Sequence, residues 1–345
     1  MTAFASDNYA PAHPDVLAAV VAANEGHAGS YGADPWTARA VECLRGHLGA
    51  EAEVFLVFNG TAANVLCLQA LLRPYEAVIC AESAHIAVDE GGAPERILGS
   101  KLIAVPTPDG KLTPELVDQR IVRLGDEHAV QPKVVSIAQT SELGTRYELD
   151  EVRALADLAH ARGLLLHVDG ARIANAAAAL GVGLREATAD LGVDALSLGA
   201  TKNGALGAEA VVLFDRAHAE GFPWWRKQTM QLASKMRYAA AQLEALFAGD
   251  LWLRNAAHAN AMAQRLAAAV ADVPGVRIVR PVQANAVFAV LAPAVTRRLQ
   301  ERFAFYVWDE LTGEVRWMCS WDTTEADVDA FAAAVADEAA GLARR

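Results

Sequence analysis

The sequence predicts an α/β protein: a large domain with a mostly parallel, seven-stranded sheet wrapped by helices, followed by a smaller C-terminal α/β domain. Between residues 50 and 215, short β-branched runs alternate with amphipathic helical segments. Most of these runs are continuously apolar, as in strands that are covered on both faces. The pattern changes after residue 215, where two long helical segments follow. We therefore expect an N-terminal arm and large domain over residues 1–247 and a small domain over 248–345.

The elements of the first domain follow one another in a strand–helix rhythm. Strands are predicted at 53–58, 77–80, 102–105, 134–138, 164–168, 195–198 and 210–214. Helices at 61–72, 114–124 and 150–162 lie between them, and the last is followed by Gly163, a common helix terminator. Strands that alternate with helices in this way form a mostly parallel sheet.

The second half of the chain contains longer helices and a second set of strands. Helices are predicted at 224–247, 251–272, near 294–302 and from residue 325 onward, and strands at 276–280, 286–291, 303–307 and 315–320. The high alanine content of this region is explained by helix propensity.

Composition excludes several classes of protein. Hydrophobic residues make up 53% of the 345 residues and charged residues 21%, which predicts a sizeable core rather than disorder. The formal net charge of −12 argues against nucleic acid or an anionic membrane as the main partner.

Nothing in the sequence predicts secretion or a membrane span. The N-terminus has no basic stretch before an apolar core, and no apolar run reaches the ~18 to 20 residues that span a bilayer. The cysteines have no metal-ligand spacing and are predicted to be buried thiols in a reducing compartment. They are Cys43, Cys67, Cys80 and Cys319. We therefore expect a soluble, cytoplasmic protein.

Candidate functional residues follow the predicted strands. Gly60 and Thr61 come after the first strand, His85 after the second, Asp169 after the fifth and Lys202 after the sixth. Because ligands of open α/β sheets bind beyond the carboxyl ends of the strands, these groups are expected to converge at one edge. The exposed amides of the helix that Gly60 and Thr61 open make a phosphate site plausible there.

Each of these residues also has a purely structural interpretation. Gly60 and Thr61 fit a simple helix N-cap, Asp169 fits a cap for an Asp-Gly turn, and Arg172 fits a surface ion pair. His85 fits a structural histidine. Lys202 is the hardest to explain structurally, because it lies in a Gly-flanked loop of a chain with 24 arginines and only six lysines.

Pyridoxal phosphate (PLP) chemistry uses this whole set of residues. PLP needs a lysine for a Schiff base, a carboxylate on its pyridine nitrogen, donors for its phosphate and commonly a flat side chain against its ring. Asp169 precedes Lys202 by 33 residues, with one helix and one strand between them. The two side chains are thus expected at the ends of nearby strands.

Seven segments of the chain resemble the low-specificity L-threonine aldolases, which belong to the β-eliminating-lyase group of fold-type-I, aminotransferase-like PLP enzymes. The segments are ASDNYAP, FNGTAAN, AHIAVDEGGAPE, HVDGARIANA, LGATKNG, SKMR and RWMCSWD. They occur in the family's order over essentially the whole chain, and the match is closest to bacterial threonine and phenylserine aldolases with the lysine in a TKNG setting.

The resemblance assigns roles to individual residues. It implies that Lys202 forms the Schiff base, that Asp169 pairs with the pyridine nitrogen and that His85 stacks on the ring. It also implies that Gly60 and Thr61 bind the phosphate.

Further implied contacts involve the substrate and a second subunit. The resemblance places Ser6, Arg172 and Arg316 on the substrate carboxylate, with Arg172 also among the cofactor contacts. It implies that Tyr31 and Arg237 reach substrate and cofactor across the interface of a dimer, within a homotetramer built as a dimer of dimers. The structural alternatives are that Tyr31 is an aromatic anchor of a loop and that Arg237 is a charge on a helix surface.

The chain departs from the family pattern in two places. Many relatives have a histidine in a THNG-like segment after the fourth strand, whereas residues 139–144 read QTSELG, and His128 lies too early to replace it. SKMR stands where many relatives have GGGMR, so the substrate preference does not carry over. The base for the substrate hydroxyl therefore stays open: His85 is the first candidate, and a water held by Glu142 or Ser141 is the second.

The implied reaction is retro-aldol cleavage of a β-hydroxy-α-amino acid, such as L-threonine, L-allo-threonine or phenylserine, to glycine and an aldehyde. The alternatives are β-elimination from another amino acid, transamination and a non-catalytic binding role, against which the retained Lys202, Asp169 and His85 argue. A dinucleotide-binding dehydrogenase is disfavoured because no G-x-G-x-x-G follows a predicted strand, and clustered metal ligands are not found. Four tryptophans are interpreted mainly as core or interface packing, and lining a pocket for an aromatic substituent is the less favoured alternative. They are Trp36, Trp224, Trp225 and Trp321.

Overall fold

The computed structural model describes residues 3–343. Residues 1 and 2 of the predicted large domain and residues 344 and 345 of the predicted small domain lie outside the described residues. The strands are β1 Glu53–Val57, β2 Glu76–Ala81, β3 Lys101–Val105, β4 Gln131–Ala138, β5 Leu165–Gly170, β6 Ala195–Gly199, β7 Glu209–Leu213, β8 Arg277–Ile278, β9 Ala286–Val290, β10 Tyr306–Asp309 and β11 Glu314–Met318. The helices are α1 Pro14–Ala22, α2 Pro35–Leu48, α3 Gly60–Leu71, α4 His85–Val88, α5 Ala93–Leu98, α6 Pro114–Asp118, α7 Leu149–Ala161, α8 Ile173–Leu180, α9 Phe222–Gln228, α10 Arg237–Phe247, α11 Leu251–Val270, α12 Pro293–Gln300 and α13 Glu325–Ala343.

The large sheet has seven strands in the order β1-β7-β6-β5-β4-β2-β3. Strands β3, β2, β4, β5 and β6 pair in parallel, whereas β7 is antiparallel to both β6 and β1. Every residue of β6 and β7 is buried, as expected for strands that are covered on both faces. The predicted α/β fold with a mostly parallel, seven-stranded sheet is confirmed.

The second sheet is smaller and antiparallel, with the order β10-β11-β9-β8. Its core includes a residue from the start of the chain, Phe4, which stacks on Phe331 of α13 with ring centroids 4.5 Å apart. The Phe4 amide donates to Ala304, and the Phe4 carbonyl accepts from the amide of Met318 in β11. The N-terminal arm is therefore fixed to the second sheet before it reaches the carboxyl ends of the first.

The helix predicted at 224–247 is wrong, because the structure has two helices there, α9 and α10. The segment between them makes long-range contacts that a continuous helix would not allow. Met230 has a positive φ of 63°, the Gln231 side chain accepts from the amide of Phe58, and the Ser234 carbonyl accepts from the amide of Tyr31. Tertiary contacts thus override the local helical pattern.

Three other boundaries also differ from the prediction. The helix predicted at 114–124 ends at Asp118, and Arg123 then adopts a positive φ of 56°, which is incompatible with a helix. The strand predicted at 303–307 begins only at Tyr306, because Phe303 and Phe305 pack into the core beneath it. The strand predicted at 276–280 is limited to Arg277–Ile278. The domain boundary between residues 247 and 248 stays a prediction.

Three of the four cysteines are buried, and Cys43 is partly exposed, which corrects the prediction of four buried thiols. Within residues 3–343, no helix combines the length and apolar character needed to cross a bilayer. The same residues contain no cluster of three or more His, Cys, Asp or Glu side chains that could hold a metal ion.

The packing of Phe4 predicts that the N-terminal arm contributes strongly to stability. Phe4→Ala is expected to lower the free energy of unfolding by about 3–5 kcal/mol, because it removes a fully buried ring and leaves a cavity against Phe331. Urea unfolding followed by fluorescence measures this change. Val21→Ala, on an exposed side chain of α1, is the control and should stay within about 0.5 kcal/mol of wild type. Equal unfolding of Phe4→Ala and wild type would contradict this role of Phe4.

Candidate active site

Lys202 lies in a short 3₁₀ turn, Thr201–Asn203, directly after the carboxyl end of β6. The buried Glu209 side chain of β7 holds this turn by accepting from the amides of Ala200 and Thr201, at 2.9 and 3.4 Å. Burial raises the pKa of Glu209 to about 7, although these amides act in the opposite direction. Among residues 3–343, no hydrogen bond or ion pair involves the Lys202 ammonium, and the side chain is half-buried. It is available to a ligand.

Asp169 lies on β5, one strand away from the lysine turn, opposite Ser197 of β6. Both of its carboxylate oxygens are held: Oδ2 accepts from Asn64 Nδ2 at 2.8 Å, and Oδ1 accepts from the amide of Ala171 at 3.0 Å. The side chain is therefore buried in a fixed orientation at the carboxyl end of the strand. The hydrogen bond from the Ala171 amide is the turn cap that the sequence predicted for Asp169. Asp169 therefore both caps this turn and presents an oriented carboxylate.

His85 begins α4, after β2, and is tied to the same region. Its Nδ1 lies 2.9 Å from Glu90 Oε1, and that oxygen also accepts from Asn64 Nδ2 at 2.8 Å. The hydrogen bond to Glu90 raises the pKa of His85, an effect that burial opposes. The charges of Glu142 and Asp169 raise this pKa further, and the charge of Lys202 lowers it. These electrostatic contributions reflect how closely the predicted groups converge.

Gly60 and Thr61 form the first turn of α3, and Asn59 caps this helix by accepting from the amide of Ala62 at 2.9 Å. The first N–H groups of a helix have no acceptor within the helix. The space beside Gly60 is open, since a Cβ added there would have no atom within 4 Å. The start of α3 is thus both an N-cap and an accessible set of amide donors suited to an anion.

Arg172 and Arg316 form another part of the candidate site, where they lie on either side of Glu142. Arg172 Nη1 is 4.0 Å from Glu142 Oε1, and Arg316 Nη1 is 4.0 Å from Glu142 Oε2. Arg316 also faces the ring of Trp308, with 4.4 Å between guanidinium carbon and ring centroid. Burial and the charge of Arg172 lower the pKa of Arg316. The interpretation of Arg172 as a surface ion pair is wrong, because the residue is buried.

Asp7 is the partner of Arg172, and the sequence reasoning missed it although it lies in the ASDNYAP segment. Its carboxylate accepts from Arg172 Nε at 2.7 Å and from Nη2 at 2.9 Å, and Asn285 Nδ2 donates to it at 3.1 Å. Burial alone would raise the pKa of Asp7, but the charges of Arg172 and Lys202 and these hydrogen bonds hold it below its usual value. The preceding Ser6 side chain accepts from the amide of Asn8 at 3.2 Å.

Tyr31 and Arg237 lie apart from this cluster within one chain. Arg237 Nη1 donates to the Gly26 carbonyl at 3.1 Å, and its guanidinium packs against the ring of Trp36. Tyr31 is half-exposed, and its amide donates to the Ser234 carbonyl. No hydrogen bond or ring contact in the part of the chain that the structure describes joins either residue to Lys202. Within a single chain, the contacts of Tyr31 fit a loop anchor and those of Arg237 fit a charge on a helix surface.

The structure adds polar residues that the sequence analysis did not single out: Asn64, Glu90, Ser136, His167 and Ser197. His167 shares a face of β5 with Asp169, two residues away, and its Nδ1 lies 2.9 Å from Ser136 Oγ. Burial lowers the pKa of His167 to about 4, against the charge of Asp169. The i, i+2 spacing in the HVD segment is a signal that could have identified this histidine.

The four tryptophans considered above for an aromatic pocket lie in three separate places in the structure. Trp224 and Trp225 border a surface groove next to Arg73 and Lys133, and Trp36 packs against Arg39 and Arg237. Trp321 donates to the Pro11 carbonyl and lies near Gly204, close to the lysine turn. The aromatic rings that face Arg316 are those of Trp308 and Tyr306, which the sequence analysis did not name.

The buried ion pair predicts a large effect of removing Asp7. Asp7→Ala is expected to lower the free energy of unfolding at neutral pH by about 3–5 kcal/mol, because it leaves the buried Arg172 charge without its bidentate partner. Chemical denaturation measures this change, and Asp272→Ala, on an exposed carboxylate, is the control.

The pH dependence of the Asp7 effect has a defined sign. Because the folded-state pKa of Asp7 is lowered, its stabilising contribution is complete above the pKa of the unfolded chain and is lost as the pH falls through the folded-state value. The stability difference between wild type and Asp7→Ala should therefore shrink on acidification. A difference that grows at low pH would contradict this assignment.

Comparison with known proteins adds independent information. The family model for beta-eliminating lyases matches residues 3–294. A low specificity L-threonine aldolase from a Pseudomonas strain is 46% identical over 332 residues, covering 96% of both chains, and one from Pseudomonas aeruginosa is 47% identical over 322 residues, covering 93% of both. The structure of a threonine aldolase from Leishmania major superimposes with a TM-score of 0.93 at 30% identity, covering 98% of this chain and all of that one. The chain therefore belongs to the beta-eliminating lyase family.

Proposed function

We propose that this protein is a cytoplasmic, PLP-dependent aldolase that cleaves L-threonine, L-allo-threonine or related β-hydroxy-α-amino acids, phenylserine included, to glycine and an aldehyde. The observation that carries the proposal is the position of Lys202. Its ammonium, which has no hydrogen-bond or ion-pair partner within residues 3–343, follows β6, next to the strand that carries the oriented carboxylate of Asp169 near its end. The aldolases of the two Pseudomonas species, similar over almost their full length, support the reaction type.

The chemistry of the polar groups fits PLP. Lys202 offers an amine for covalent attachment, Asp169 a carboxylate for the pyridine nitrogen, and the first turn of α3 a set of amides for the phosphate, at Gly60 and Thr61. His85 offers a flat imidazole within the electrostatic reach of both Lys202 and Asp169. When bound, PLP supplies an electron-poor ring that accepts the electron pair released as the substrate Cα–Cβ bond breaks.

The arginine pair is suited to the substrate carboxylate. Arg172 commits Nε and Nη2 to Asp7, and its Nη1 lies 4.0 Å from Glu142 Oε1, while the buried Arg316 Nε has no hydrogen-bond partner among the described residues. Guanidinium groups bind a carboxylate with defined orientation, and these two lie on either side of Glu142. This anchoring sets which bond at Cα is cleaved. Ser6, which precedes Asp7 on the arm, is proposed as a further contact of the substrate carboxylate.

His85 is the proposed base for the substrate β-hydroxyl. With Nδ1 directed to Glu90, Nε2 is the nitrogen free to take a proton. Such a base typically contributes about 10²–10⁴-fold to the rate. A water held by Glu142 or Ser141 is the second candidate, and the Glu142 carboxylate lies beside both arginines.

The proposed assembly is a homotetramer, a dimer of dimers, with Tyr31 and Arg237 of one chain completing the site of the other. Exposed apolar side chains support this interface, since Phe58 precedes Gly60 by two residues, Val88 follows His85 by three and Leu206 follows Lys202 by four. Apolar groups next to a polar site are typical of a surface that a partner covers.

Lys202→Ala tests the cofactor and its lysine together. The wild-type protein reconstituted with PLP should show a visible Schiff-base absorption band, and Lys202→Ala should lack it. Lys101→Ala, on an exposed lysine of β3, is the matched control and should keep the band. A wild-type protein that gains no band with PLP would contradict the proposal.

The products separate aldol cleavage from β-elimination. We expect L-threonine to yield glycine and acetaldehyde in equal amounts, because each cleavage of the Cα–Cβ bond releases one molecule of each product. Chromatography of the amino acid and derivatisation of the aldehyde measure both. Formation of ammonia and a keto acid, without glycine, would identify an eliminating lyase instead.

Mixing two inactive variants tests the shared site. Lys202→Ala and Arg237→Ala subunits, each inactive alone, should recover about a quarter of wild-type activity after dissociation and reassembly, because about half of random dimers are mixed and each has one intact site. Lack of recovery in mixed dimers verified by native mass spectrometry would place Arg237 in its own chain's site, whereas an Arg237→Ala protein that is active alone would place Arg237 outside any site.

A further inference from the structure

A continuous chain of hydrogen bonds connects His85 to Asp169. His85 Nδ1 lies 2.9 Å from Glu90 Oε1, and Asn64 Nδ2 donates both to that oxygen and to Asp169 Oδ2, each at 2.8 Å. Ser197 Oγ donates to Asn64 Oδ1 at 2.7 Å, which fixes the orientation of the amide. One asparagine thus uses both hydrogens of its amide to hold two carboxylates at the candidate site.

The burial of the Glu90 side chain within this hydrogen-bond network argues against a purely structural role for Glu90. The side chain of Glu90 is 0% exposed, and its Oε2 has no hydrogen-bond partner among the described residues. A buried carboxylate with one unsatisfied oxygen is costly, and an apolar or amide side chain would fill the same space at lower cost. Burial raises the pKa of Glu90, although the hydrogen bonds from His85 and Asn64 oppose this.

We propose that Glu90 is a positioning residue that holds the proton of the neutral His85 ring on Nδ1 and so presents Nε2 as the basic nitrogen, while Asn64 locks Glu90 and Asp169 into one frame. The proposal deepens the proposed function and rests on it for the role of Nε2. An ionised carboxylate can only accept hydrogen bonds, so the nitrogen facing Glu90 must be the donor. A base that is oriented by an acidic partner is the general arrangement of activated imidazoles.

The groups around His85 define the direction of the pH effect. Glu90, Glu142 and Asp169 favour the protonated ring, whereas Lys202 and burial disfavour it. Removing the Glu90 charge therefore lowers the pKa of His85. Because a base acts only when it is deprotonated, the acidic limb of the kcat/KM profile should then move to lower pH.

Two substitutions at Glu90 separate charge from geometry. Glu90→Gln keeps an oxygen that accepts from both His85 and Asn64, so kcat above the acidic limb should stay within about 10-fold of wild type while that limb moves to lower pH. Glu90→Ala removes the acceptor, and kcat should fall by about 10²-fold. Glu82→Gln, which removes an exposed carboxylate after the same strand, is the control and should leave the profile unchanged.

The ¹⁵N spectrum of histidine-labelled holoenzyme provides a readout that does not depend on turnover. The signal of His85, assigned by its loss in His85→Asn, should report the Nδ1–H tautomer in wild type and in Glu90→Gln, and the Nε2–H tautomer or a mixture in Glu90→Ala. The PLP dissociation constant of each variant verifies that the site is intact. If Glu90→Ala does not fold, Glu90→Gln still tests the proposal through the acidic limb and the His85 titration.

The possible results distinguish this proposal from the proposed function. An unchanged acidic limb and an unchanged His85 titration in Glu90→Gln would overturn the role of Glu90, even if wild type cleaves β-hydroxy amino acids. Conversely, if wild type shows no cleavage but its His85 is the Nδ1–H tautomer and titrates at lower pH in Glu90→Gln, the positioning role stands and the proposed reaction fails.

Discussion

The buried ion pair between Asp7 and Arg172 is the interaction on which the candidate site depends. It joins the N-terminal arm to the end of β5, and Asn285, beside the second sheet, donates to the same carboxylate. Met318 of β11 contacts Arg172 through its sulfur. A buried guanidinium and carboxylate are tolerated only as a well-formed pair, so the arm and both sheets must be packed together before this end of the site exists.

The site combines two electrostatically different ends. The arginines meet at Glu142, and Arg316 Nε has no hydrogen-bond partner among the described residues, whereas Asp169 and Glu90 place buried negative charge near His85. Lys202 lies between these ends, and its charge lowers the pKa of Asp7 as well as that of His85. A ligand with an acidic group at one end and a basic ring nitrogen at the other matches this distribution, although the chain as a whole has a net charge of −12.

The fold and the convergence of Lys202 and Asp169 were predictable, because the carboxyl ends of adjacent strands meet at one edge whatever the sequence between them. The roles of Asn64 and Glu90 were not. Asn64 is separated from Asp169 by 105 residues, and within α3 it has no local feature that marks it as a bridge. The break between α9 and α10 was also unpredictable, since it depends on contacts of Gln231 and Ser234 with residues far away in the chain.

The proposed function requires that Lys202 alone among the six lysines attaches the cofactor. Borohydride reduction of the PLP-loaded protein, followed by proteolysis and mass spectrometry, tests this claim most directly, because reduction makes the lysine linkage permanent. We expect stoichiometric phosphopyridoxyl modification of the peptide that contains Lys202. Modification spread over surface lysines such as Lys101 or Lys235, or none at all, would contradict it.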